Sequence, residues 1–246
     1  MTDKKISIII TKTNNSSSVD SVLKQTYENY EYFVIDNNAS DIKKTIDQTT
    51  GDYIIFLNAN DILITNALSN ISKMIYLTNA DLIKFSKLNN FKDFIPDISA
   101  KKFQYLFQRQ DIIKYAFADL SEFCIKKELV KHLDFNLPRH LLTMNILIHA
   151  KDIAVTNHVY ISNAERMFFI SDLSEYTQIT DYFLKHEKEM PDNAWKMYFE
   201  TLIPRIVKDT IKNNNKDVFA YCCKRIPSKL IPLKYKFIFF IMKICI

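Results

Sequence analysis

Short apolar runs alternate with amphipathic stretches along the N-terminal part of the chain. The runs have the length and the polar borders of buried strands: Ile6–Ile10, Glu31–Asp36, Tyr53–Leu57 and Asp81–Phe85. The stretches between them have helical spacing and capping residues: Ser16–Tyr27, Asp41–Thr49 and Thr65–Leu77. Because strands alternate with helices, the pattern predicts an α/β fold with a mostly parallel sheet flanked by helices.

The periodicity weakens after Asn89 and becomes helical towards the C-terminus. The elements predicted in between are a strand and short helix over Phe123–Phe135, a helix over Leu141–Lys151, and edge strands over Ile153–Val155 and Val159–Ile161. From Asp172 onward the apolar residues recur with the spacing of helices. We therefore expect an α/β domain over residues 1–165 and a helical region over residues 166–246.

The composition excludes several nucleotide-binding motifs. The chain has 246 residues, of which 48% are hydrophobic, so it can bury a sizeable core. It contains a single glycine, Gly51. A P-loop and a Gly-X-Gly dinucleotide loop each need several glycines for close approach of the backbone to phosphate. Both motifs are therefore excluded.

The positive charge is concentrated at the C-terminal end. The net charge is +5, and after Val218 the charged residues are all basic: Lys224, Arg225, Lys229, Lys234, Lys236 and Lys243. The rest of the chain is nearly neutral, which argues against a nucleic-acid-binding protein, since these usually carry the charge on the folded domain. The apolar segment Leu233–Ile246 is too short to span a bilayer, which takes ~20 apolar residues.

This basic, aromatic tail has two interpretations. One is an interfacial anchor, formed by residues 224–246, on an anionic membrane surface or on a protein partner. The other is a terminal helix packed on its own domain. The cysteines lack zinc-site spacing, and Met1–Lys5 does not resemble a signal peptide. These features are typical of reduced thiols in a cytoplasmic protein.

Two groups of residues resemble the family 2 glycosyltransferases. The first combines the opening strands, Ile6–Thr11 and Phe33–Asp36, with the stretch Gly51–Asp61. The second combines Phe123–Leu129, an aromatic and lysine pattern before a short helix, with the helix and strand of Leu141–Val155. The resemblance covers roughly residues 4–163. It implies the GT-A fold, a Rossmann-like sheet that binds a nucleotide at the carboxyl ends of its strands.

The resemblance also implies where a sugar nucleotide would bind. The nucleotide-binding residues would be those after the first two strands: Thr11, Asn14, Asp36 and Asn37. The family carries Asp-X-Asp-Asp where this chain has Asn58–Asp61, and those carboxylates hold the divalent metal. Asn60 and Asp61 would be the metal ligands here, with Mn²⁺ or Mg²⁺ as the ion. Because two carboxylates are replaced by amides, we expect weak metal binding or none.

The remaining family features are also altered. The family takes its general base from a Glu-Asp pair, and Arg139-His140 stands at that place. His140 or the nearby Asp134 is then the candidate base. Only Asn37–Gly51 separates the second strand from the third, where the family has a diphosphate-binding segment. No arginine precedes Arg109.

Three hypotheses follow. The first is a degenerate glycosyltransferase of cell-surface glycan synthesis that acts as a non-catalytic partner of an active enzyme. The second is an active inverting transferase that moves sugar from a nucleotide to a glycan, lipid-linked or protein acceptor. The third is an interaction module that binds lipid or protein through its tail. The expected location is cytoplasmic, or peripheral on the inner face of the cell membrane.

Overall fold

The computed structural model describes most of the chain. The described residues are 4–12, 17–36, 38–59, 61–88, 105–108, 119–137, 139–162, 173–188, 195, 198–204, 206–208, 216–233, 235–236 and 239. The chain divides into two compact units, residues 1–167 and residues 168–246.

Within the described residues, the first unit is built on one mixed sheet of eight strands. The strands are β1 Ile6–Thr11, β2 Tyr30–Ile35, β3 Tyr53–Leu57, β4 Ile62–Leu63, β5 Leu82–Leu88, β6 Tyr105–Gln108, β7 Phe123–Lys126 and β8 Asp152–Ser162. Their order is β2-β1-β3-β7-β5-β8-β4, and β6 also pairs with β8. Strands β1, β2, β3, β5 and β8 run in one direction, while β7 is antiparallel to β3 and to β5.

Helices accompany the sheet in the first unit and dominate the second. In chain order they are α1 Ser17–Leu23, α2 Ala39–Gln48, α3 Ala67–Thr78, α4 Lys127–Val130, α5 Arg139–His149, α6 Leu173–Lys185 and α7 Lys216–Arg225. The predicted α/β architecture, with a mostly parallel sheet flanked by helices, is confirmed.

The apolar runs of β1 and β3 form strands because both of their faces are buried. In β1 every isoleucine is at most 2% exposed, and β3 is similarly enclosed. Helix α3 packs Leu68, Ile71 and Ile75 into the same core cluster. In the middle of the sheet, Cys124 of β7 pairs with Ile55 of β3 and is fully buried. Burial raises the pKa of the Cys124 thiol well above its ordinary value.

The prediction of two edge strands, Ile153–Val155 and Val159–Ile161, is wrong. They are parts of one strand, β8, which pairs with β5, β4 and β6. The polar residues between the two apolar runs resemble a turn in the sequence. In the structure the pairing of β5 with β8 continues past them, because shifts of register next to Ser86 absorb the irregularity.

The second unit has an aromatic core that includes part of the C-terminal tail. Its packed rings are Phe183, Trp195, Tyr198, Phe199, Phe219, Tyr235 and Phe239. Phe239 is 2% exposed and lies 5.7 Å from the ring of Phe199. Two aromatic residues of the tail therefore pack inside their own unit, as the second interpretation of this segment expects.

A tight junction near the amino ends of β1, β2 and β3 surrounds Gly51. A Cβ atom at Gly51 would lie 2.8 Å from the backbone nitrogen of Ser7 and nearer still to its Oγ. The Gly51 N–H donates to Ser7 Oγ at 3.0 Å, and Ser7 Oγ donates to Glu31 Oε1 at 2.7 Å. Because a side chain at position 51 would collide with β1, the single glycine of the chain stands where the fold needs one.

The carboxylate of Glu31 joins three strands at this junction. It accepts hydrogen bonds from Ser7 in β1 and from the Thr50 N–H at 2.6 Å, and it pairs with Lys5 at 2.9 Å. Burial alone would raise the pKa of Glu31. The bonds from Lys5, Ser7 and Thr50 outweigh it and hold that pKa at about 2. Glu31 therefore stays ionised in its bonded state at neutral pH.

We predict that Gly51→Ala destabilises the fold. The added methyl group must push β3 away from β1, and overpacking of this kind costs about 1–3 kcal/mol. Urea unfolding of the purified chain measures the change.

The matched control is Ser40→Ala, because Ser40 is exposed on α2. Its free energy of unfolding should change by less than about 0.5 kcal/mol. A Gly51→Ala protein as stable as the Ser40→Ala protein would contradict the steric argument.

Candidate functional site

Thr11 and Asp36 meet at the carboxyl edge of the sheet. Thr11 pairs with Ile35, so Asp36 follows directly on the neighbouring strand. The next residue of the first strand, Lys12, donates its N–H to the Ile35 carbonyl at 2.7 Å. Asp36 is exposed. The structure thus brings these two predicted nucleotide-binding residues together, whereas Asn14 and Asn37 lie outside the described residues.

Asn38, rather than Asp36, caps the helix that follows. Asn38 Oδ1 accepts the N–H of Asp41 at 2.9 Å and so closes the first turn of α2. The carbonyl of Asp36 accepts the N–H of Asn38 at 2.9 Å. The Asp36 backbone thus takes part in the turn before α2, and the residue itself is exposed at the end of β2.

In the turn after β3, the carboxylate of Asp61 is directed into the protein. The N–H of Asp61 donates to the Asn58 carbonyl at 3.0 Å, and the N–H of Asn58 donates to Asp61 Oδ2 at 3.2 Å. Asp61 is 1% exposed. This reciprocal pair is typical of Asn and Asp in tight turns. The carboxylate that the resemblance assigns to a metal therefore closes the turn, and Asn60 lies outside the described residues.

The side chain of Asn58 is bonded to the segment before β7. Its amide nitrogen lies 3.1 Å from Ser121 Oγ and 3.4 Å from Asp119 Oδ1. Asp119 also accepts the Ser121 N–H at 2.8 Å, and Glu122 Oε1 accepts the Asp119 N–H at 3.3 Å. These last two bonds form a capping box around a single 3₁₀ turn, Leu120–Glu122. The cap fixes the segment against the end of β3.

A buried ion pair lies in the same region. Lys84 Nζ is 2.8 Å from Glu122 Oε2, and the two side chains are 10% and 12% exposed. Lys84 Nζ also donates to the Phe85 carbonyl at 2.6 Å and lies 5.8 Å from the centre of the Phe123 ring. Each charge is compensated by the other and by further hydrogen bonds, as buried charges require.

The described residues do not fit a divalent cation. Mn²⁺ and Mg²⁺ prefer several charged oxygen ligands in an open arrangement. Asp61 is turned inward and accepts the Asn58 N–H, and Asn58 can offer a cation only a neutral amide oxygen. No group of three His, Cys, Asp or Glu side chains suited to a metal occurs within the described part of the chain.

The candidate bases lie on the segment that leads into α5. Asp134 Oδ1 accepts the N–H of Asn136 at 3.0 Å and its Nδ2 at 2.9 Å, which forms a local turn. The next ring, Phe135, lies 6.0 Å from that of Phe56, near the end of β3. The structure therefore brings this segment towards the carboxyl edge. His140 lies in the first turn of α5, and its side chain is outside the described part.

Sequence reasoning missed the residues that hold this edge together. Asp119 and Glu122 have capping-box spacing, which is visible in the sequence Asp-Leu-Ser-Glu before an apolar strand. Lys84 is a lone charge between apolar residues of a predicted strand, which indicates a buried partner. Its pairing with Glu122 depends on the antiparallel insertion of β7, and local sequence patterns do not specify that insertion.

The fold is shared with S. aureus TarS, whose structures include complexes with UDP-GlcNAc and with UDP. S. aureus TarS is 13% identical, with a TM-score of 0.71 over 97% of this chain and 52% of that chain. The TarS fragment 1–349 in complex with UDP is 15% identical, with a TM-score of 0.68 over 97% of this chain and 87% of the fragment. This chain has the GT-A glycosyltransferase fold.

A more distant similarity points to the same fold. The mannosyltransferase PcManGT from Pyrobaculum calidifontis, in complex with GDP-Man and Mn²⁺, is 11% identical. Its TM-score is 0.50 over 76% of this chain and 65% of that chain. No protein-family model and no curated protein matches the sequence significantly. The chain spans about half the length of the full TarS chain, and the similarity extends to the fold alone.

We predict strong coupling between Lys84 and Glu122. Lys84→Met leaves the Glu122 carboxylate buried without its ion-pair partner, which typically costs about 3–5 kcal/mol. The double variant Lys84→Met/Glu122→Gln removes both charges and should lose much less than the sum of the single variants. Urea unfolding of the four proteins in a double-mutant cycle gives the coupling.

The control is the exposed pair Lys131–Glu128, whose atoms are 3.5 Å apart. Lys131→Met should change the free energy of unfolding by at most about 1 kcal/mol. A coupling energy between Lys84 and Glu122 of at most about 1 kcal/mol would mean that the buried pair does not stabilise the edge.

Proposed function

We propose that this protein is a GT-A protein of cell-surface glycan synthesis that acts as a non-catalytic partner of an active glycosyltransferase. The observation that supports the proposal is the turn after β3. Asp61 is buried and bonded to the Asn58 backbone, and the Asn58 amide donates to Ser121. Metal-binding carboxylates of the family stand at this place, and here the side chains support the fold instead.

Two further losses support the same proposal. Between β2 and β3 the chain has room only for α2, where the family has a diphosphate-binding segment. Asp134 bonds to its own turn at Asn136. The absence of a general base alone typically lowers a rate by ~100- to 10,000-fold. Metal, diphosphate and base contacts contribute separately to catalysis, so their combined loss disfavours turnover.

The alternative function is active inverting sugar transfer. Asp36 favours it, because its carboxylate lies exposed at the end of β2, beside Thr11, where the resemblance places a contact to the nucleobase. Such an enzyme would bind its nucleotide sugar with weak or no metal. His140 or Asp134 would then take the proton from the acceptor.

The partner role predicts that Asp36→Ala retains full function in cells. Deleting the protein should reduce the surface glycan, and both the wild type and Asp36→Ala should restore it equally. If the protein is instead an enzyme that contacts the nucleobase through Asp36, the Asp36→Ala variant should fail to restore the glycan. Glycan quantity per cell is the measurement, with protein level checked on an immunoblot.

Asp47→Ala is the matched control, since Asp47 is exposed on α2 away from the end of β2. The purified chain is also tested for turnover of UDP-, GDP- and CDP-sugars with Mn²⁺ or with EDTA. Failure of Asp36→Ala alone to rescue, or a turnover that Asp36→Ala abolishes, would establish the active transferase instead.

We further propose that the helical unit contacts an anionic membrane surface through residues 224–246, on the inner face of the cell membrane. Lys224, Lys229 and Lys236 are exposed, and Leu233 is 82% exposed. Lys229 pairs with Glu187 at 3.3 Å, but an exposed pair of this kind is weak. Each lysine near an anionic leaflet contributes about 1 kcal/mol.

The attachment proposed here is peripheral. Within the described part of the chain, no helix combines the length and the apolar character that crossing a bilayer requires. Phe239 packs in the aromatic core, so the exposed lysines and Leu233 would make the contact.

Vesicle co-sedimentation tests the membrane contact. The wild-type chain should sediment with vesicles rich in phosphatidylserine and much less with phosphatidylcholine vesicles. The triple variant Lys224→Glu/Lys229→Glu/Lys236→Glu should lose this binding, because it reverses the charge at the surface.

The matched control is Lys43→Glu/Lys44→Glu/Lys73→Glu, which makes the same change in net charge at exposed positions of α2 and α3. Equal loss of binding in both variants would show a response to net charge only and would reject the proposed surface.

A further inference from the structure

Strand β2 ends the sheet on one side. It pairs with β1 along its whole length, from Ile6–Tyr30 to Thr11–Ile35, without a shift of register. No strand within the described ranges pairs with the other side of β2. The outer backbone groups of such a strand form a template to which another strand can add.

The hydrogen bonds to β1 identify which residues of β2 face outward. The carbonyls of Asn29 and Ile35 accept from Ile6 and Lys12, at 3.2 and 2.7 Å. Because the N–H and C=O of one residue lie on the same side of a strand, the odd-numbered residues of β2 bond inward. Tyr32 and Val34 therefore direct their N–H and C=O groups to the outer side.

The same two residues expose apolar side chains. Tyr32 is 39% exposed and Val34 is 47% exposed. Their side chains point to the same face of the sheet, because successive residues of a strand point to opposite faces. They belong to the face of Tyr30, whose hydroxyl donates to the Val22 carbonyl of α1 at 3.1 Å. The β2 edge, meaning the outer side of Tyr30–Ile35, thus combines outward backbone groups with exposed apolar surface.

This edge lacks the usual protection against pairing. Natural edge strands are blunted by lysine, proline or a bulge. The sequence Tyr-Glu-Tyr-Phe-Val-Ile has no lysine or proline, and its pairing with β1 is regular. Its one charge, Glu31, is engaged at the junction with Ser7, Thr50 and Lys5. No side-chain charge of β2 is therefore directed at an approaching strand.

We propose that β2 pairs antiparallel with β2 of a second copy, about a two-fold axis at Phe33. This register places Tyr32 opposite Val34 of the second copy, as a hydrogen-bonded aromatic and β-branched pair. It places Glu31 opposite Ile35 and Tyr30 opposite Asp36, so no like charges meet. The two sheets then form one continuous sheet across the dimer.

Self-complementarity favours this register and a second copy as the occupant. Only registers that pair even-numbered residues with each other satisfy the outward hydrogen bonds. A two-fold axis at Tyr32 also meets this condition, but it places Glu28 opposite Asp36 of the other copy, and like charges directly opposite are unfavourable. The axis at Phe33 avoids this clash. It covers the exposed side chains of Tyr32 and Val34 in both copies. An edge contact of this size is at the small end of specific interfaces, so the dimer should depend on concentration.

Sedimentation velocity of the full chain over a series of concentrations tests the dimer. The wild type should shift from monomer to dimer as concentration rises. Val34→Lys should remain monomeric throughout, because each edge then carries a charge opposite Tyr32. Leu77→Lys, at an apolar residue that is 56% exposed on α3, should dimerise like the wild type. A wild type that stays monomeric, or a Val34→Lys protein that dimerises, would overturn the proposal.

A cross-linking variant tests the register. Phe33→Cys places two thiols next to each other at the two-fold axis, so mild oxidation should give a covalent dimer in non-reducing electrophoresis. The wild type, with its own cysteines, and Leu77→Cys should give none under the same conditions. Absence of a cross-link specific to Phe33→Cys would refute pairing about this axis.

Discussion

The close approach of β1 to the start of β3 at Gly51 is the contact on which the rest of the structure depends. Ser7 lies where any other residue at position 51 would place its Cβ atom, and Glu31 joins the two strands to β2. Since parallel strands pair residue by residue, alignment at the amino edge also sets alignment at the carboxyl edge. Thr11 lies beside Ile35, and Ile10 beside Leu57, because the junction at the other end fixes both pairings.

Polar side chains at the carboxyl edge of the sheet make bonds within the protein. Asp61 closes a turn, Asn58 bonds to the segment before β7, and Glu122 neutralises the buried Lys84. A cation or a diphosphate at this edge would have to compete with these intramolecular bonds. The same bonds hold the turn after β3 and the segment before β7 against the sheet.

The extent to which sequence predicted this structure depends on the range of each interaction. β1, β3 and α3 were predictable, because burial on both faces or on one helical face leaves a periodic signal in neighbouring residues. The β8 strand was not, because Thr156–His158 interrupts an apolar pattern that pairing with β5 carries through. Thr11 and Asp36 lie at the same edge because β1 and β2 are neighbours. The bonding of Asn58 to Ser121 and of Lys84 to Glu122 joins residues far apart in sequence, and no local pattern specifies such pairs.

The position of Cys124 makes the centre of the sheet chemically inert in the native state. Its thiol lies in β7 between β3 and β5, fully buried, with a pKa raised by that burial. Oxidants and alkylating reagents attack the thiolate, which this environment suppresses. Modification of Cys124 therefore requires that β7 separate from its neighbours. The rate of that modification therefore measures how often the sheet opens. Oxidation of this cysteine is coupled to unfolding in the same way.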